Sequence, residues 1–343
     1  MIGSRTYSWN LLKLIKKYNG HQMRVLSGIQ SSGKLHLGNY FGMMKRMIKY
    51  QNENELFCFI ANYHALTTLP DAENLSKNTF HAACDFLALG LDPDKCTFWV
   101  QSDVPEVTEL TWILTSLVNR GLLDRATSFK DKIVKGLKPN MGLYSYPILM
   151  AADILLFESE LVPVGNDQRQ HLEITREIAN KFNNQYGEIF VLPKEDILEE
   201  VKLVPGTDGQ KMSKSYNNTI PIFGEAKVIR KKVMKITTDA ALIDEPKSID
   251  TPLFQLFSLF LDNDERNSLV SKFETPGSRY GDIKQDLFNK IMDYFEPFRR
   301  NKERLIQNPS DVIDILNSGA KKAQKSANKV LERVRECTGI QYK

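Results

Sequence analysis

With 343 residues, 42% of them hydrophobic and 26% charged, the chain is ordinary for a globular protein of one large or two moderate domains. A formal net charge of +4 is too mild to argue for nucleic acid by itself. Its four cysteines contain no CxxC pair, which excludes a cysteine metal site or disulfide framework and suits packing residues in a reducing compartment, and no apolar run reaches the length of a membrane span.

Residues 1–23 lack acidic groups and interleave Arg5, Lys13, Lys16 and Lys17 with Leu11, Leu12 and Ile15, the look of an organelle-targeting segment. The acid-free run continues to Asn52, however, which favours a short extension ahead of a start equivalent to Met23. Arg24 to Ile29 reads as a first strand, followed by small and polar residues and an amphipathic helix opening at Leu37, with Phe41, Met44 and Ile48 on its apolar side. Leu56 to Ala61 is a second buried strand, Leu75 to Leu89 a helix, and Thr97 to Val100 a third strand. Trp112 to Leu123 reads as one helix, then Tyr146 to Phe157 as another, Val162 to Val164 as a strand and His171 to Phe182 as a helix. Strands alternating with helices predict an α/β fold with a doubly wound, Rossmann-like parallel sheet whose ligand lies at the strand C-termini. From Ile222 the periodicity stays helical to the end. The division expected is therefore an extension (1–23), a nucleotide-binding domain (24–222) and an all-helical domain (223–343) whose last helix packs back on the sheet.

Three stretches carry chemistry. Gly28 to Asn39 joins the first strand to a helix N-terminus, where backbone N–H groups attract phosphate and Gly38 leaves no side chain in the way. The glycine spacing is neither a P-loop nor a GxGxxG fingerprint. Lys211-Met212-Ser213-Lys214-Ser215 follows Pro205 to Gly209, a run that propagates neither helix nor strand. It therefore rides on a loop, and two ammonium groups with two hydroxyls suit a polyphosphate. The third stretch places one acid, Asp153, inside Ile148 to Leu156, where burial is costly unless a donor pairs with it. That donor is either a protein group or a ligand N–H.

Taken together, His36, Gly38 and Asn39 after a first strand and Lys211 to Ser215 near the end of the nucleotide-binding fold resemble the two signatures of the class I aminoacyl-tRNA synthetases. Asn39 stands where most members have a second His. The runs from Gly142 to Leu156 and from Val162 to His171 resemble the bacterial tryptophan branch of that family, from about Arg24 to the C-terminus. The resemblance implies ATP, bound with Mg²⁺ on its phosphates, L-tryptophan and tRNA(Trp) as substrates, a cytoplasmic homodimer, and no membrane. It assigns catalysis to Lys211, Lys214, Lys132 and Gln30. It assigns ATP to Gln30, Ser31, Ser32, His36, Gly38, Asn39, Gly165, Asn166, Asp167, Val204 and Lys211 through Ser215, with Met212, Ser213 and Lys214 between. Tryptophan falls to Asp153, Tyr146, Met150, Gln168 and His64. Asn166 departs from the family's usual Glu, which leaves Asp167 the firmer of that pair. The helical region, with Arg230, Lys231, Lys232, Lys235, Arg299, Arg300, Lys302 and Arg304, and the last helix, with Lys321, Lys322, Lys325, Lys329, Arg333 and Arg335, would face tRNA phosphates. A tyrosyl-tRNA synthetase, a small nucleotidyltransferase of similar fold and a catalytically silent RNA-binding paralogue remain as alternatives.

Overall fold

The computed structural model describes residues 22–29, 35–68, 70–126, 136, 139–165, 168–197 and 204–342. Five parallel strands, β1 (Arg24–Ile29), β2 (Glu55–Ile60), β3 (Cys96–Val100), β4 (Leu161–Val164) and β5 (Lys194–Ile197), form one sheet in the order β3-β2-β1-β4-β5. Each of the four expected strands is present. The fifth, Lys-Glu-Asp-Ile, is too polar to show apolar alternation. It holds its edge position through Arg46, which donates to both Asp196 oxygens at 2.9 and 2.8 Å, and through the Arg176–Glu195 ion pair at 2.5 Å.

Side chains alternate across the strands, so the sheet divides two cores. Val25, Leu56, Cys58 and Ile60 face one side, with the helical run 37–53 (α1) and α2 (Ala72–Ala88). Leu26, Phe57, Phe59 and Trp99 face the other, against α3 (Glu106–Thr115), α4 (Met141–Leu155) and α5 (Arg169–Tyr186). Within α1 the turns widen into a π-helix over Tyr40–Met44, where Tyr40 and Phe41 pack edge-on to Phe295. The expected single helix from Trp112 to Leu123 is broken. Residues 116–119 leave the helix, and Asn119 starts a new short one, Arg120–Asp124, by accepting the Leu122 N–H at 3.0 Å. Conversely α4 begins earlier than its apolar run suggests, because Asn140 caps it at the Leu143 N–H.

Beyond the sheet lie α6 (Ala226–Met234), α7 (Pro252–Ser258), α8 (Asn263–Glu274), α9 (Tyr280–Gln307) and α10 (Pro309–Thr338). Asp262 and Glu265 punctuate this region as a reciprocal capping box at the start of α8. The apolar residues of α6 to α9 join the same core as Val25 and Leu56. Helix α10 turns back, burying Ala320, Ala323, Ala327, Val330 and Val334 in the other core. Its approach to the edge strand is so close that a Cβ on Gly319 would lie 1.7 Å from the Phe98 carbonyl oxygen. Arg333 and Arg335, expected to face outward, instead bind Glu158 and Glu109 at 2.6 and 2.5 Å, and Lys302 pairs with the buried Asp85. A charge on a helix flank prefers a nearby carboxylate once the helix is docked, and three cations are thereby withdrawn from the basic surface. Among the described residues no helix is long and apolar enough to cross a membrane.

Candidate active site

Strand order reverses between β1 and β4, and a cleft opens at the carboxyl ends of those two strands, as open α/β sheets place their ligands. The cleft encloses about 530 Å³ and is lined by Gly28 and Ile29 from β1, Val164 and Gly165 after β4, Asn39 from α1, and His64, Met150, Asp153, Gln168, Lys211 and Lys214 among others. Residues that are distant in the chain thus share one space.

One end of the cleft is closed and polar only at chosen points. Asp153 is 3% exposed. Its Oδ1 accepts from Gln101 Nε2 at 2.8 Å, while Oδ2 lies 2.9 Å from the same Nε2 and 2.8 Å from His64 Nε2. Burial pushes its carboxyl above the usual carboxylate range, and the His64 and Gln101 bonds pull it part of the way back. A carboxylate offers about four acceptor sites, so three contacts leave room for a further donor. Tyr146 stands beside this group with its ring edge-on to His64, and its hydroxyl lies 2.6 Å from His171 Nε2.

At the other end the two signature stretches meet. The Gly38 N–H points at the Met212 sulfur at 3.2 Å, and a Cβ on Gly38 would come within 3.1 Å of the Met212 Cβ and the His36 ring. A side chain at Gly38 would therefore collide with Met212 and His36. The His36 N–H donates to the Asn39 Oδ1 at 3.1 Å, so Asn39 caps the helix from within. The His36 ring is 7% exposed, and its Nδ1 finds no hydrogen-bond partner among the described residues. Burial, reinforced by Lys214, lowers its pKa to about 4, so the imidazole is neutral at pH 7. Leu37 and Ile222 bond to Ile220 and Leu35 carbonyls at 3.0 and 3.1 Å, clamping the exit of the lysine loop onto the start of α1.

The loop owes its shape to Asn218, which is 2% exposed. Its Oδ1 accepts the Ser213 N–H at 2.8 Å, and its Nδ2 donates to Asp208 at 2.8 Å and to the Lys211 carbonyl at 3.1 Å. Val204 is buried beneath, its carbonyl accepting the Met212 N–H at 2.9 Å. Desolvation by the surrounding protein lowers the pKa of Lys214.

A model of the family described as tRNA synthetases class I (W and Y) matches residues 18–296. The chain belongs to this family. A tryptophan–tRNA ligase of Fusobacterium nucleatum is 50% identical over 318 residues, spanning 92% of this chain and 98% of that relative. The crystal structure of tryptophanyl-tRNA synthetase from Campylobacter jejuni, complexed with ADP and tryptophan, is 49% identical with a TM-score of 0.90, covering 92% of this chain and 100% of that one. Tryptophanyl-tRNA synthetase from Mycoplasma pneumoniae is 31% identical with a TM-score of 0.78, covering 93% and 98%.

For a class I synthetase the chain brings together most of the residues read from its sequence. His64, Asp153, Met150, Gln168, Gly165, Asn39, Lys211 and Lys214 line the cleft, while Tyr146, His36, Gly38, Val204, Met212 and Ser213 stand behind or beneath it. Gln30, Ser31, Ser32, Lys132, Asn166, Asp167 and the Ser215 side chain lie outside the described residues. Sequence reasoning missed Gln101, His171 and Asn218. Nothing local marks them, since a Gln after a strand, a His in an amphipathic helix and an Asn after a loop are ordinary; only their buried partners set them apart.

Proposed function

We propose that this chain is a tryptophan–tRNA ligase: it joins L-tryptophan to ATP as tryptophanyl-adenylate, releasing pyrophosphate, and passes tryptophan to the 3′ end of tRNA(Trp). The observation that carries the reading is a buried carboxylate, Asp153, with acceptor capacity to spare, facing the same cleft as Lys214. An indole N–H is a donor only, which matches an acceptor-only group, and a site built for that bond rejects side chains without it. The names of the Fusobacterium and Campylobacter relatives, and the ADP and tryptophan of the latter, support it.

In the first step the tryptophan carboxylate attacks the α-phosphorus of ATP in line and pyrophosphate departs. No protein nucleophile is required. Positioning and charge neutralisation do the work, with Lys211 and Lys214 at the phosphates and Lys132 added from outside the described segments. ATP is taken as its Mg²⁺ complex.

Residues 24–222 serve as the catalytic domain and 223–343 as the anticodon-binding region, where Arg230, Lys231, Lys235, Lys321, Lys322, Lys325 and Lys329 remain exposed for phosphates. Trp112 and Met141, 75% and 73% exposed on the mutually packed helices α3 and α4, favour a homodimer. Free cysteines throughout the described residues suit the cytoplasm. Amino-acid-dependent ATP–pyrophosphate exchange tests the whole reading: tryptophan alone should drive it. Exchange driven by tyrosine would move the chain to the other branch of its family, and tRNA binding without any exchange would make it a silent paralogue.

A further inference from the structure

We infer that Gln101 is a positioning residue that sets the Asp153 carboxylate for the indole N–H, and thereby fixes the preference for tryptophan. The inference rests on the tryptophan reading above and names a residue that the sequence did not single out.

Gln101 is 2% exposed, at the start of the short 3-10 turn Gln101–Asp103 that follows β3. Its amide can face only one way. Oε1 accepts the Tyr63 N–H at 3.0 Å, which leaves Nε2 toward Asp153, where it meets Oδ1 and Oδ2 at 2.8 and 2.9 Å. Flipping the amide would set its oxygen against the carboxylate and its NH₂ against a backbone donor, two repulsions in place of two bonds. The turn is braced in its own right. Asn62 and Ser102 exchange two hydrogen bonds at 2.8 and 3.1 Å, and Gln324 of α10 donates to the Asp103 carbonyl at 2.7 Å.

The consequence falls on Asp153. Its Oδ2 serves both His64 and Gln101, whereas Oδ1 serves Gln101 alone and keeps the greater spare capacity. Without the Gln101 donor, only the His64 contact at Oδ2 still holds the carboxylate, and Oδ1, the oxygen meant for the indole, loses its one fixed partner and with it a defined direction. Gln101 is absent from the wall of the cleft, so it acts through Asp153 rather than on substrate.

Two full-length variants test this, Gln101→Glu and Gln101→Met. The first keeps an acceptor for the Tyr63 N–H and sets a second carboxyl against Asp153, where like charge or a shared proton replaces the fixed amide donor; the second, of similar length, loses both bonds. Each is assayed by pyrophosphate exchange with tryptophan and with β-(3-benzothienyl)alanine, which replaces the indole N–H by sulfur. Thermal melting and the KM for ATP report whether fold and nucleotide site survive. In both variants the tryptophan KM should rise about tenfold or more, and the preference for tryptophan over the sulfur analogue should fall by a similar factor, with the ATP KM moving less than about threefold. A merely structural role would weaken both amino acids equally and leave the preference intact. Folded variants that keep the preference overturn the inference. A wild-type protein that shows no preference to begin with overturns instead the tryptophan reading beneath it.

Discussion

The two ends of the cleft are built on opposite principles. At the end holding Asp153 the polar groups answer one another: Asp153 by Gln101 and His64, Gln101 by a backbone N–H, and Tyr146 by His171. At the other end the cations ride on a loop tied down by one asparagine, and both Lys211 and Lys214 are exposed. A closed, satisfied network is suited to telling one side chain from another, because a wrong ligand leaves a buried group unpaired. Partly hydrated ammonium groups are suited to a charge that grows during reaction, because they are worth most when a phosphate completes their desolvation. On the proposed reading, selection and acceleration are separated in space along a single crevice.

Mutations should separate them in the same way. The largest effect is expected at the phosphate end: Lys214→Met should slow tryptophan-dependent exchange by about 10²–10³-fold, while tryptophan affinity measured by calorimetry changes little. Parallel losses in rate and affinity would erase the contrast. At the other end Asp153→Asn should raise the tryptophan KM by about 10–100-fold with a smaller fall in kcat, since an amide facing the Gln101 amide and His64 loses charge-assisted bonds. A mutant with unchanged KM and a collapsed kcat would reverse the assignment of the two ends.

The asparagine tie is next. A Cβ on Gly206 would lie 2.1 Å from Asn218 Nδ2, so Gly206→Ala must push Asn218 out of its bonds to Ser213 and Lys211. It should cost about 1–3 kcal/mol in urea unfolding and lower exchange more than tryptophan binding. Smallest is a pH effect. His36 is held near pKa 4 in the fold against an ordinary value of about 6.5, so the unfolded chain binds more protons between those limits. Its contribution to stability is full above about pH 6.5 and is lost as pH falls through about 4. His36→Gln should therefore make the fall in Tm between pH 6.5 and 4.5 shallower by about 2–4 °C, read by calorimetry. An unchanged slope would show that the ring is not held neutral by its burial.

Much of this was legible because it is written locally. The four apolar strands, the lysine loop after a proline-glycine run and an acid inside an apolar helix each announce themselves within about a dozen residues. The break before Asn119, the charged strand Lys194–Ile197 and the docking of Arg333 and Arg335 onto Glu109 and Glu158 do not, because each depends on a partner tens to hundreds of residues away. Gly38 is instructive for the same reason. Its lack of a side chain was plain, yet what fills the space is Met212, brought there by tertiary structure.

The sequence by itself therefore determined the alternation of strands and helices, the family, and the residue types available for chemistry, since these follow from side-chain character and short-range periodicity. Only the folded chain decided which oxygen of Asp153 is left for a ligand, which cations are consumed by internal carboxylates and which glycines are closed off. Hydrogen bonds and close packing are matters of distance and angle in space, and those quantities come into being when the chain has folded.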